Sequence, residues 1–244
     1  MKAMIFAAGL GTRLQSITSN KPKALVEVAG VPLLEHAILY LKSFGVTEIV
    51  INVHHFADQI IKFLQQRNNF GITIHISDES NLLLDTGGGL KKAKHYLQGD
   101  EPIVLVNVDI ISNLDLNKVL DYHFQEKALA TLVVRKRETQ RYLVFDTYLN
   151  LCGWKNVQTG EVKQSNKRDT ANEMYAFSGI HIIQPELLKL ITEEGKFSMI
   201  DLYLRLAINH HIKAFIDTSD LWFDLGKPEQ LTEAETIIRK YRIS

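Results

Sequence analysis

Four basic residues, Lys2, Arg13, Lys21 and Lys23, stand in the first 26 positions, and no Asp or Glu stands with them. Within this stretch Ala8-Gly9-Leu10-Gly11-Thr12-Arg13-Leu14 follows an apolar run. Glycine lets backbone N–H groups come close to a phosphate, because no Cβ intervenes. A guanidinium can fork onto phosphate oxygens, while a lysine acts as a mobile point charge. The combination suits a triphosphate, with Ala8, Gly9, Gly11 and Thr12 lending backbone and Arg13 and Lys23 lending charge. Lys23 is favoured over Lys21 because the apolar Ala24-Leu25-Val26 anchors it close to packed structure. Neither familiar phosphate loop is present. A dinucleotide fingerprint would need glycine where Leu14 stands, and a P-loop would need Gly-Lys-Ser or Gly-Lys-Thr. By itself, Gly-x-Gly after a strand also describes an ordinary tight turn, and the charge also describes a solvated basic loop.

Two aspartates have the right chemistry for a hard cation. Asp109 ends the apolar run Ile103–Val108, and a carboxylate just past a buried strand sits at the ligand edge of an open sheet. Asp224 follows Leu221-Trp222-Phe223 and precedes Gly226. Mg²⁺ takes few protein carboxylates and completes its octahedron with water and phosphate oxygens. Spacing cannot bring the two together, and each alone is also what a turn or cap would use. A third element is Asp85-Thr86-Gly87-Gly88-Gly89 before a helix carrying Lys91, Lys92 and Lys94. Consecutive glycines could present bare N–H groups to a flat ligand, or simply make a hinge. The histidine pairs His54-His55 and His210-His211 show no metal spacing and read as structural or surface residues. Cys152, the single cysteine, reads as a small core side chain, and no disulfide can form.

Ala-Ala-Gly-Leu-Gly-Thr-Arg-Leu, Lys-Pro-Lys-Ala-Leu-Val and Val-Ala-Gly-Val-Pro-Leu-Leu, in that order, resemble the signature of the sugar-1-phosphate nucleotidyltransferases. The resemblance continues through Leu84–Gly89, Asp109, Phe177-Ser178-Gly179-Ile180 and Trp222–Glu229, so it spans nearly the whole chain. The triple-glycine segment is most similar to that of the muramic acid 1-phosphate uridylyltransferases, and also to heptose-phosphate guanylyltransferases. The resemblance implies a nucleoside triphosphate and a sugar 1-phosphate as substrates, in cell-wall or surface polysaccharide synthesis. It implies Asp109 and Asp224 as Mg²⁺ ligands, Arg13 and Lys23 as catalytic cations, and Thr86, Gly87 and Gly88 around the nucleotide. Asn107, Glu173, Ser178 and Gly179 are implied at the sugar. The chain departs from the common pattern at three places. Asn107-Val108-Asp109 replaces Asn-Gly-Asp, Gln15-Ser16 stand where proline is usual, and Pro22-Lys23-Ala24-Leu25 replaces Pro-Lys-Pro-Leu.

These residues need a scaffold, and the periodicity supplies one. Strand signals at Lys2–Ala8, Thr47–Val53, Ile72–Ser77 and Ile103–Asn107 alternate with helical ones at Pro32–Phe44, Phe56–Gln66, Gly88–Leu97 and Leu116–Glu126. This predicts an α/β fold, a Rossmann-like, mostly parallel sheet with helices on both faces. Residues 128–244 read as a smaller mixed α+β sugar-binding lobe beside a nucleotide-binding lobe of residues 1–127. In that half, strands are expected at Ala130–Arg135, Tyr142–Asp146, Leu151–Asn156, Met174–Ile183 and Ile212–Asp217, with helices at Pro185–Ile191, Ile200–Ile208 and Glu229–Tyr241. Gln164–Glu173 is expected as a polar loop. No Pro/Gly/Ser-rich linker separates the halves, so one domain is expected, of the GT-A-like nucleotidyltransferase type that the resemblance implies.

The chain has 244 residues, 28 Lys plus Arg against 28 Asp plus Glu, and 45% hydrophobic residues. That balance excludes a disordered segment and a general nucleic-acid binder, which would need a positive excess. No apolar run reaches the length of a membrane span. The expected protein is cytoplasmic, a monomer or small homo-oligomer. Its rivals are an inactive nucleotide-sugar-binding regulatory protein, a dinucleotide-dependent oxidoreductase, and, within the transferase class, a phosphocholine cytidylyltransferase.

Overall fold

The computed structural model describes residues 1–164, 173–226 and 228–242, with the side chains of Arg13, Gln15, Ser16, Pro228 and 240–242 outside the description. The strands are β1 (Lys2–Phe6), β2 (Glu27–Val28), β3 (Val31–Pro32), β4 (Glu48–Val53), β5 (Thr73–Asp78), β6 (Ile103–Asn107), β7 (Ile110–Ser112), β8 (Ala130–Arg135), β9 (Arg141–Phe145), β10 (Leu151–Asn156), β11 (Val162–Gln164), β12 (Glu173–Ile183), β13 (Ile212–Ile216) and β14 (Trp222–Asp224). The helices are α1 (Gln15–Thr18), α2 (Leu33–Ser43), α3 (Ala57–Gln66), α4 (Asp85–Ala93), α5 (Leu116–Gln125), α6 (Met199–Leu206) and α7 (Pro228–Arg242).

β1 lies between β4 and β6, parallel to both, and β5 extends the parallel run beyond β4. Successive side chains on a strand point to opposite faces. Ala3, Ile5, Ile49, Ile51, Val104 and Val106 therefore pack one way, against α2, α3 and α5. Met4, Phe6, Val50, Ile103 and Leu105 pack the other way, against α4 and α6. Two covered faces explain why these strands read as unbroken apolar runs.

β12 carries the sheet into the second half. Its C-terminal stretch pairs antiparallel with β6, and its N-terminal stretch pairs with β9, which leads on to β10 and β11. β8 lies on β12 as well, across an irregularity between Phe177 and His181, and β13 runs parallel to β8. All ten strands form one sheet, mostly parallel in the first half and mixed in the second, as the sequence predicts. The hairpin β2–β3 and the pair β7–β14 stand apart from it.

Three expectations are corrected. The helix expected from Gly88 starts at Asp85, because packing overrides the low helix propensity of its glycines. Pro185–Ile191 is only the 3₁₀ turn Pro185–Lys189. Of the expected loop at 164–173, Gln164 closes β11 and Glu173 opens β12, while 165–172 lie outside the described residues. No helix among the described residues is long and apolar enough to cross a membrane.

Two histidines are locked in the core. His123 shares a hydrogen bond with Thr131 Oγ1 at 2.8 Å, and His181 with the Tyr203 hydroxyl at 2.5 Å. Burial lowers the His123 pKa to about 4 and the His181 pKa to about 3. Both rings are neutral in the fold, whereas an unfolded ring gains a proton near pH 6.5. Their contribution is therefore complete above that pH and is lost as pH falls toward the folded values, by up to ~1.4 kcal/mol per pH unit for each ring. Urea midpoints measured from pH 7 to pH 4.5 should fall, and His123→Gln should flatten that slope. An equally steep slope in the variant would contradict the assignment.

Candidate active site

The glycine loop leaves the C-terminal end of β1, where a parallel sheet exposes its ligand edge. Gly11 adopts φ +65°, and a Cβ there would press on Thr18 at 3.1 Å and on Lys23 Cβ at 3.3 Å. Its carbonyl accepts from the Leu14 amide at 2.8 Å and from the Thr18 hydroxyl at 3.1 Å. Leu14 is fully buried and fastens the turn to the core. Around Gly9 the space is open, and no acceptor among the described residues takes up its amide. Ala8, Gly9, Gly11 and Thr12 all line a cleft of about 370 Å³. The Arg13 side chain lies outside the described residues.

Lys23 reaches the floor of the same cleft. Pro22 and a 3₁₀ turn over Lys23–Leu25 set its backbone, and the buried Ala24 and Val26 fix the turn. Lys23 Nζ forms an ion pair with Asp109 Oδ2, their side chains 9% and 15% exposed. Lys21 does not line the cleft. Asp224 arrives from 115 positions further along the chain, through strand pairing. β14 runs antiparallel to β7 with Asp224 opposite Ile110, and the Leu225 amide donates to the Asp109 carbonyl at 2.9 Å. Backbone pairing thus brings the two segments together, with Asp109 lining the cleft and Asp224 outside its lining. Among the described residues no three of His, Cys, Asp and Glu gather. Two carboxylates without nitrogen or sulfur suit Mg²⁺ that shares its shell with phosphate, and do not make a zinc cage.

Asn52 and Glu79 build the far wall. Asn52 Oδ1 accepts from the Ala7 amide at 2.8 Å, and its Nδ2 donates to Glu79 Oε1 at 2.7 Å. Glu79 Oε2 accepts from the Leu84 amide at 3.0 Å. Sequence reasoning passed over both residues, although a lone polar residue in Ile49-Val50-Ile51-Asn52-Val53 was a readable signal. The triple glycine has a different purpose from the expected one. The amides of Gly87 and Gly88 donate to the Phe197 carbonyl at 2.9 and 3.2 Å, so they are not bare for a ligand. A Cβ on Gly87 would strike the Phe197 ring, one on Gly88 the Gly195 carbonyl, and one on Gly89 would lie 2.7 Å from Glu79 Oε1. Gly87 and Gly88 let α4 lie against residues 195–199, and Gly89 makes room for the Glu79 carboxylate. Asp85, Thr86 and Lys196 reach the cleft, whereas Gly87 and Gly88 do not line it.

Of the residues expected at the sugar, Asn107 lines the cleft and Gly179 lies beside it. Gly179 has φ +80°, and a Cβ would stand 2.6 Å from Ile110 Cγ1. Ser178 is corrected. Its hydroxyl is fully buried and donates to the Val133 carbonyl at 2.8 Å, so strand alternation turns it into the sheet. Glu173 accepts from the Tyr175 hydroxyl and lines a separate cavity with Lys136, Arg137 and Tyr142. A third cavity shares Asp85 with the cleft and offers Arg141, Trp154, Asn156 and Phe177.

Over residues 2–240 the chain matches the nucleotidyl transferase family. It is 33% identical over 243 residues to the N-acetylmuramate alpha-1-phosphate uridylyltransferase of Caulobacter vibrioides, across 96% of this chain and 95% of that one. It is 30% identical to the mannose-1-phosphate guanyltransferase of Hypocrea jecorina, across 94% of this chain but only 62% of that longer protein. Among solved structures, HddC from Yersinia pseudotuberculosis complexed with GMP-PN superposes with a TM-score of 0.77 at 23% identity, covering 97% of this chain and 99% of that one. The fold is the GT-A-like one that the motifs imply.

The packing of α4 is testable. Gly88→Ala gains helix propensity worth ~1 kcal/mol but forces Cβ onto the Gly195 carbonyl. Such overpacking costs about 1–3 kcal/mol. The melting temperature should fall, at roughly 2–4 °C per kcal/mol of net loss. A raised melting temperature would show that the close approach to Gly195 is not limiting.

Proposed function

The chain belongs to the nucleotidyl transferase family as a sugar-1-phosphate nucleotidyltransferase, and on that premise we propose that it joins UTP to N-acetylmuramate 1-phosphate with release of pyrophosphate. The observation that carries this choice of substrates is the end-to-end match to the Caulobacter uridylyltransferase, which has no unmatched extension of consequence on either side. The guanyltransferase relative shares only 62% of its own length with this chain.

The chemistry needs position and charge more than covalent help. An oxygen of the acceptor's phosphate attacks the α-phosphorus of the triphosphate. A new P–O bond forms while the α–β P–O bond breaks, and its electron pair leaves with pyrophosphate. The attacking phosphate is already anionic, so no general base is required. The open amides at Gly9–Thr12 receive triphosphate oxygens, and Arg13 balances charge on the departing pyrophosphate. Lys23 sits where α-phosphate and acceptor phosphate converge, kept in place beforehand by Asp109. Asp109 and Asp224 would hold Mg²⁺, which when bound supplies Lewis acidity and a template for phosphate oxygens. Glu79 and Asn52 fix the wall behind the nucleoside, with Thr86 at the mouth. The cavity beyond Asp85, with the Trp154 ring and Asn156, receives the sugar. Asn107, which lines the cleft, stands beside Gly179.

GTP with mannose or heptose 1-phosphate is the second reading, supported by the guanyltransferase relative and the GMP-PN-bound neighbour. Pyrophosphate release measured for UTP, GTP, CTP and dTTP against these acceptors and phosphocholine separates the readings. UTP with N-acetylmuramate 1-phosphate should give the highest kcat/KM, and a GTP preference would overturn the proposal. Lys23→Ala and Asp109→Asn should each lower turnover by about 100-fold or more with the far-ultraviolet dichroism unchanged. Near-normal turnover in both would remove the proposed roles.

A further inference from the structure

β9, β10 and β11 present one face to the cavity of about 490 Å³ that shares Asp85 with the cleft. Antiparallel register decides which side chains meet there. Leu143 stands opposite Trp154, and Trp154 opposite Lys163, in one row across the three strands. Two residues along, Arg141 stands opposite Asn156. Residues two apart on a strand share a face, so both rows look the same way, and all five side chains line the cavity. Opposite residues on one face have Cβ atoms about 4.5–5.5 Å apart, and diagonal ones are within reach of long side chains. Arg141 thus commands the floor around Trp154 and Asn156.

The two cations of this floor are differently engaged. Lys163 Nζ pairs with Asp201 at 2.8 Å, comes within 4.0 Å of Glu161, and lies 5.4 Å from the centroid of the Trp154 ring. The Asp201 hydrogen bond holds the Lys163 pKa above the usual ammonium range, although burial opposes it. The Arg141 guanidinium is exposed and has no hydrogen-bond or ion-pair partner among the described residues. The nearby acids have other partners as well. Asp201 accepts from the Ser198 hydroxyl at 2.8 Å, and Asp85 Oδ1 takes the Thr86 amide at 2.6 Å. Asn156 Oδ1 takes the Gln158 and Thr159 amides at 3.0 and 3.3 Å, which leaves its Nδ2 as the group it can offer a ligand.

An uncommitted guanidinium beside an aromatic ring and an oriented amide suits a ring-shaped ligand that carries a carboxylate. Neutral hydroxyls do not require a planar fork of N–H groups, whereas a carboxylate matches it with two parallel bonds. The acceptor's phosphate belongs with Lys23 in the cleft, which Arg141 does not line. Of N-acetylmuramate, mannose, heptose and phosphocholine, only the first carries a carboxylate, on its lactyl ether. We propose that Arg141 sets acceptor specificity by forking onto the lactyl carboxylate of N-acetylmuramate 1-phosphate, with the sugar ring over Trp154. This assignment rests on the proposed choice of that acceptor.

N-acetylglucosamine 1-phosphate differs from it only by lacking the lactyl group, so the ratio of kcat/KM for the two acceptors with UTP isolates the carboxylate. In the full chain, Arg141→Ala should lower that ratio about 10- to 100-fold, and Arg141→Lys should restore part of it. Lys196 lines the cleft and not this cavity, so Lys196→Ala should preserve the ratio. Equal losses for both acceptors in Arg141→Ala would make Arg141 a support for the cavity and overturn the assignment. An unchanged ratio, or one that collapses in Lys196→Ala instead, would also overturn it. If the wild type prefers another nucleotide or sugar, the choice of substrates falls separately. The two amino-sugar phosphates then serve as competitive inhibitors. A ratio of inhibition constants that Arg141→Ala levels supports the role of Arg141, and a ratio it leaves unchanged overturns it.

Discussion

Glu79 is 1% exposed, and both of its carboxylate oxygens are engaged, one by Asn52 Nδ2 and the other by the Leu84 amide. Through Asn52 it reaches the Ala7 amide at the root of the glycine loop, and through Leu84 it reaches the start of α4. One buried acid thus fixes the distance between the glycine loop and helix α4, both of which contribute to the cleft. Leaving either oxygen unsatisfied at this depth costs about 1–3 kcal/mol, so the network is complete or the cleft loses its shape. Gly89 completes the arrangement, since any Cβ there would displace the carboxylate.

Charge in the cleft follows the same logic of prior placement. Lys23 and Asp109 neutralise each other at low exposure, which keeps a long flexible side chain in one place without a ligand. Asp224 is delivered by the three-residue pairing of β14 on β7, and its neighbour Trp222 orients Arg137. Lys23 thus balances one aspartate, while strand pairing brings in the segment that carries the other. The global charge of zero conceals a strongly segregated local one.

The sequence disclosed what depends on local pattern. β6 was legible to the residue because a run apolar on both faces has one structural solution in an open sheet. The positions of the glycine loop and Lys23 were legible because the loop directly follows a buried strand and the apolar Ala24 and Val26 anchor the lysine. What depends on distant contact was hidden. Nothing local marks β7 and β14 as partners, yet that pairing is what joins Asp224 to Asp109. Gly87 and Gly88 looked like an open ligand surface, because their real neighbours, Phe197 and Gly195, lie more than 100 residues later. Ser178 looked like a sugar ligand, because a residue type does not reveal which face of a strand it takes.

The seam between α4 and residues 195–199 also limits how such a chain can diversify. Phe197 receives two amides of α4, Thr86 Oγ1 receives the Met199 amide, and Lys196 enters the cleft from the same segment. This wall of the cleft is therefore written in two widely separated stretches of the gene. A recombination event that exchanged the second half between relatives would also exchange part of the lining of the cleft. The neighbouring cavity shares that dependence, since Asp85 and Ser198 from the seam line it together with Arg141 and Trp154.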